Sequence, residues 1–120
     1  MHSHTWDIVE TLARRFTEHD DARDLSLHEQ WTLQVLKIAE ETGEASQAVI
    51  GARGTNPRKG NSHGWQDAHD EVADVVITAM VALARMRPDA AAYLHQQLEA
   101  KAAKFLPADH AVLFSSTELS

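Results

Sequence analysis

Two acidic pairs set inside apolar segments constrain this chain more than any other feature. Glu41 and Glu44 lie within the segment Trp31 to Ile50, and Glu71 and Asp74 lie within a second apolar segment, each pair spaced i,i+3. Residues three apart on a helix share a face with their Cβ atoms about 5–6 Å apart, so each pair offers two carboxylates in one direction. If two such helices pack together, four carboxylates converge. Like charges held close in a partly dry site repel and drive protonation, so the pattern requires either a bound hard cation or an exposed acidic surface.

The chain around these acids reads as helical. Five Gly and three Pro in 120 residues leave room for few turns, and the length suits one domain with a single core. The spacing predicts a first helix from Thr5 to about His19, with Thr5 as N-cap and Trp6, Val9, Leu12, Ala13 and Phe16 on its apolar face. Ser26-Leu27-His28-Glu29 has the form of a capping box and opens a second helix. That helix runs to about Ile50 along the stripe Leu27, Trp31, Val35, Ile38, Thr42, Ala45 and Val49, and residues 51–54 stop it. Residues 54–64, with three Gly and one Pro, read as a loop. A third helix is predicted from Trp65 to near Arg87, because Pro88 disfavours helical geometry in the residue before it. Asp89 suits the N-cap of a fourth, Ala90 to Phe105, with Tyr93, Leu94, Leu98, Ala102 and Phe105 as its packing face. The expected fold is an all-α four-helix bundle over residues 1–107, followed by a loosely held tail, 108–120. Wide apolar arcs, including Leu33 and Leu36 opposite the Ile38 stripe, exceed what one small bundle can bury and predict a homodimer or larger oligomer.

Charge and composition narrow the partners. A net charge of -7 argues against a binder of polymeric nucleic acid or of anionic membranes, which would need a basic face. With no Cys there is no thiolate metal site, no apolar run approaches the length that spans a bilayer, and the expected setting is the cytoplasm.

Helix geometry separates the acids. Glu41 falls at the edge of the buried arc, Glu44 lies farther round, Glu40 points outward, and Glu71 sits near the middle of the stripe formed with Val75, Thr78 and Ala82. Carboxylate ligands suit Mg²⁺, with Mn²⁺ as the alternative, and no Glu is followed three residues later by the His that a di-iron bundle needs. Such an ion keeps positions open for water and phosphate, so the expected ligand is a nucleotide polyphosphate. Lys37, Arg53, Arg58, Lys59, Lys101 and Lys104 are the candidate phosphate contacts. Lys37 either pairs with Glu41 or reaches a phosphate. Trp31, Trp6 and Trp65 offer either stacking surfaces for a base or core packing. His28 either meets a base edge or faces solvent. Gly43, inside the second helix, costs up to ~1 kcal/mol and is tolerable where another helix or a bound ligand comes close.

Glu40-Glu41-x-x-Glu44 followed after a linker by Glu71-x-x-Asp74, in a chain of four helices, resembles the all-α nucleotide pyrophosphohydrolases of the MazG type over roughly Trp6 to Pro107. The resemblance implies an oligomeric bundle that uses Mg²⁺ to hydrolyse a nucleoside triphosphate to the monophosphate and pyrophosphate. By position it makes Glu41, Glu44, Glu71 and Asp74 the metal ligands and Glu40 the candidate base. Lys104-Phe105 before Pro107 is loosely similar to the family's last helix, whose usual Asn is missing here. Two other readings stay open: hydrolysis of phosphoribosyl-ATP on the same scaffold, and a non-catalytic helical interaction module.

Overall fold

The computed structural model describes residues 3–54 and 64–107, and among them it contains four helices and no strand: α1 His4–Ala22, α2 Leu27–Arg53, α3 Trp65–Met86 and α4 Ala90–Phe105. The predicted tail and most of the predicted loop, with Arg58 and Lys59, lie outside the described residues.

The helix ends follow local chemistry. Ser3, not Thr5, caps α1: its hydroxyl accepts a hydrogen bond from the Trp6 amide at 3.2 Å, and Thr5 falls inside the first turn. The helix also continues past His19 to Ala22 before Asp24 turns the chain at φ 59, a left-handed conformation that Asp tolerates. The capping box of α2 is present in both directions. The Glu29 amide donates to Ser26 Oγ at 3.1 Å, and the Ser26 amide donates to Glu29 Oε1 at 2.9 Å. Gly51 does not stop α2, as it is buried within the helix; Gly54, at φ 66, does. Asp89 stands at the N-cap of α4 but makes no capping bond, because its carboxylate is held by Arg87 at 2.9 and 3.0 Å.

The third helix is the hub. α2 and α3 form the principal pairing, α1 packs on α3 as well, and α4 makes a smaller contact with α3. Val9, Ala13 and Val81 form the buried cluster between α1 and α3, with Trp6, Leu12, Met80 and Ala84 packed around it. Elsewhere the buried apolar positions among the described residues are small, Ala48, Ala68, Ala82 and Ala90, which let backbones approach closely.

The buried face of α2 differs from the predicted stripe. Leu27 and Val35 are exposed, whereas Gln30 and Gln34 are buried at 2% and 8% exposure. The cause is Arg85 of α3, whose side chain is 4% exposed. Its guanidinium donates to Asp20 Oδ2 at 2.7 Å, Gln34 Oε1 at 2.7 Å, Gln30 Oε1 at 3.1 Å and Thr17 Oγ1 at 3.2 Å. A buried cation must be paired and hydrogen-bonded, and supplying those acceptors turns the polar edge of α2 inward. On α1, Phe16 is also more exposed than predicted, and on α4 so are Leu98 and Phe105.

Candidate metal centre

The register of the α2–α3 pair places the acids. Gln34 on α2 directs its Nε2 at the Thr78 carbonyl of α3 at 3.5 Å. Seven residues along α2 from Gln34 is Glu41, and seven back along α3 from Thr78 is Glu71. Since seven residues make close to two whole turns, an antiparallel pair in this register sets Glu41 opposite Glu71.

One oxygen from each of Glu41, Glu44 and Glu71 lies within 4.8 Å of the others. Glu41 is largely covered, with its side chain 13% exposed, while Glu44 stands at the solvent edge. Glu71 is partly buried, and its Oε2 is shut off from solvent with no hydrogen-bond partner. Burial raises the pKa of Glu41 above the ordinary carboxylate value, and a hydrogen bond with Glu44 adds to this, as do the charges of Glu44 and Asp74; Lys37 opposes them. A divalent cation would neutralise the cluster and give Glu71 Oε2 a partner. Oxygen-only donors in this number suit Mg²⁺ or Mn²⁺, so the residues present fit the ion.

The remaining predicted positions divide. Asp74, one turn beyond Glu71, is exposed and stands outside the trio, though its charge reaches Glu41. Glu40 points outward, 61% exposed, and pairs with Lys37 at 3.5 Å. Lys37 also pairs with Glu41 at 3.7 Å, bridging the two acids. His28 and Trp31 pack together with ring centroids 5.5 Å apart and an interplanar angle of 53°. They sit far from the trio, since ten residues separate Trp31 from Glu41, about 15 Å along the helix axis. The Trp31 indole N–H is buried without a partner. Trp6 packs against the α1–α3 core and Trp65 is exposed at the start of α3. On α4, Lys101 is exposed and Lys104 lies over the Phe105 ring at 5.2 Å. Among the described residues no helix comes close to Gly43: a Cβ there would meet nothing within 4 Å, so close approach of one of the four helices does not explain that glycine.

Arg85, Gln30 and Gln34 escaped the sequence reading. A signal was present, because Glu71, Thr78 and Arg85 recur at seven-residue steps on one face of α3, and Gln30 and Gln34 are spaced i,i+4 on α2.

Fold and site together define an all-α protein with a carboxylate trio built across an antiparallel helix pair. The chain matches no family model, no curated protein and no solved structure.

Proposed function

We propose that the chain is a Mg²⁺-dependent nucleoside triphosphate pyrophosphohydrolase that clears unwanted nucleotides. The observation that carries this reading is the carboxylate trio with the orphaned, buried Glu71 Oε2, an arrangement that a hard cation completes. The sequence resemblance to the MazG type supplies the reaction class.

In this reading Glu41, Glu44 and Glu71 would hold the ion, and the charge of Asp74, which reaches Glu41, would add to the attraction. The ion would supply charge neutralisation at the phosphates and Lewis-acid polarisation of their oxygens. Lys37 exchanges its carboxylate partners for a substrate phosphate, which releases Glu40. Glu40 then takes the proton of the attacking water as the water oxygen bonds the α-phosphorus. The bond from that phosphorus to the bridging oxygen breaks, and pyrophosphate leaves.

Self-association belongs to the same proposal. Leu36, Val72 and Val76 stand 59%, 51% and 51% exposed on α2 and α3, apolar surface that a second copy of the chain would cover. Light scattering should give a homodimer or larger; a stable monomer would remove that part. No helix among the described residues is long and apolar enough to cross a membrane.

The test is pyrophosphate release across a panel of nucleoside triphosphates and phosphoribosyl-ATP, with and without Mg²⁺. Turnover of the triphosphates that requires Mg²⁺ and is lost in Glu71→Gln is the expected result. Turnover confined to phosphoribosyl-ATP would transfer the scaffold to that substrate, and no turnover with unchanged metal affinity in Glu71→Gln would leave the interaction module.

A further inference from the structure

A pocket of about 600 Å³ opens between α1, α2 and α3, within the size range of small-molecule sites. It adjoins the carboxylate trio through Lys37, which lines the pocket and has its Nζ 3.7 Å from Glu41 Oε1. Leu12, Phe16, Leu33, Ile77 and Val81 supply apolar walls. Phe16, Leu33 and Ile77 are 44%, 52% and 45% exposed, so these walls are open to a ligand.

Arg85 and Gln34, the guanidinium and amide groups at the pocket's inner side, are already engaged with the protein. Arg85 donates four hydrogen bonds within the protein, to Thr17, Gln34, Asp20 and Gln30. Gln34 gives its Oε1 to Arg85 and turns its Nε2 to the Thr78 carbonyl. A ligand entering between the apolar walls therefore meets a floor whose guanidinium and Gln34 amide are already engaged within the protein. His19 and Arg23 line the pocket too, but both are exposed, where any hydrogen bond competes with water.

We propose that this pocket takes the nucleoside part of the substrate whose phosphates lie at Glu41, Glu44 and Glu71, and that it holds the base by shape and apolar contact. The inference rests on the pyrophosphohydrolase reading of the acidic centre, and it has a consequence for specificity. Pockets that read a ligand by hydrogen bonds reject analogues by about 10⁴–10⁵, whereas apolar pockets discriminate by only about 10–200-fold. Purine and pyrimidine nucleotides should both be accepted, within about 200-fold of each other.

The experiment uses methyl-detected NMR of the full chain in Mg²⁺ with three probes: the α,β-imido analogues of a purine and of a pyrimidine nucleoside triphosphate, and inorganic tripolyphosphate. Both analogues should shift the methyl resonances of Leu12, Leu33, Ile77 and Val81, and tripolyphosphate should shift only signals near the trio. Leu33→Trp, whose indole fills the pocket from an exposed position, should weaken both analogues by at least about 10-fold and tripolyphosphate by less than about twofold. Analogues that perturb only the surroundings of Glu41, Glu44 and Glu71 would overturn the pocket and leave the hydrolase standing. Discrimination between the two analogues beyond about 200-fold would refute recognition by shape. Methyl shifts that follow protein dilution instead of ligand would assign the pocket to a second copy of the chain. Absence of binding by all three probes would overturn both readings.

Discussion

Replacing Arg85 by Met tests whether the polar cluster between α1, α2 and α3 holds the fold. Methionine keeps much of the unbranched stem and removes the guanidinium, so packing changes little while the charge vanishes. What is lost is an ion pair at 2.7 Å between side chains 4% and 14% exposed, with hydrogen bonds to Gln34, Gln30 and Thr17. What is left behind decides the magnitude. Removing one partner of a buried pair strands the other and costs about 3–5 kcal/mol, here joined by the stranded Gln30 and Gln34 oxygens. The neighbouring pocket, which Arg85 lines, admits water and moderates that loss, so the lower end of the range, about 3 kcal/mol, is expected. Against a total stability of about 5–15 kcal/mol this is a large fraction. It corresponds to a fall in Tm of about 12–24 °C for a domain near 100 residues. Urea unfolding followed by far-UV circular dichroism gives the free energy, with the m-value as a check that the folded and unfolded states are unchanged in compactness. Asp20→Asn should couple to Arg85→Met, the double variant losing less than the sum of the singles by about 0.5–3 kcal/mol. An Arg85→Met variant within about 1 kcal/mol of the parent would refute the argument, because the network would then contribute no more than an exposed pair.

Other perturbations separate the remaining claims. Gly43→Ala should stabilise the chain by about 0.5–1 kcal/mol, since the position is helical and open, while Gly54→Ala should cost about 1–2 kcal/mol at its left-handed φ of 66°; the same urea titration reads both. Ser26→Ala should cost about 1 kcal/mol through loss of the α2 cap. Glu29 is held below its ordinary value of 4.5 by hydrogen bonds to the Ser26 backbone and side chain. Its contribution is therefore present above that value and is lost as pH falls through the lower, folded value, so Glu29→Gln and the parent should converge in stability in acid. Mg²⁺ at a hundred times its dissociation constant should stabilise the parent by about 2.7 kcal/mol and leave Glu71→Gln unmoved; a parent Tm indifferent to Mg²⁺ would remove the metal centre. Because the pKa of Glu41 is raised, Mg²⁺ uptake should release a growing fraction of a proton as pH is lowered toward that pKa, seen as a calorimetric heat that varies with the buffer.

The helices were legible because their signals are local. A capping box at Ser26 and Glu29, a proline at 88 and uniform helix formers from Ala90 onward each act within a few residues, and three of the four acids nominated from spacing do converge. The buried face of α2 was not legible, because apolar periodicity assigns Gln30 and Gln34 to solvent and only the arrival of Arg85 from another helix turns them in. Long-range polar pairing overrode the hydrophobic stripe. The pocket escaped for a related reason, as its walls come from three helices and none of Leu12, Phe16 or Ile77 carries a chemical signature of its own. Asp74 shows the limit of the i,i+3 rule: its spacing from Glu71 is right, but the rule fixes only the face and not the reach of the side chain.

The role of α3 as hub also sets the order in which the protein should come apart. α4 adds little contact and presents Leu98 and Phe105 largely to solvent, so its detachment exposes little further apolar surface. Its amides should exchange with solvent through local opening, while those of α3 around Val81 and Ala82 should exchange only through global unfolding. The carboxylate trio and the pocket are built from α1, α2 and α3, so a molecule whose last helix has transiently let go still carries both intact.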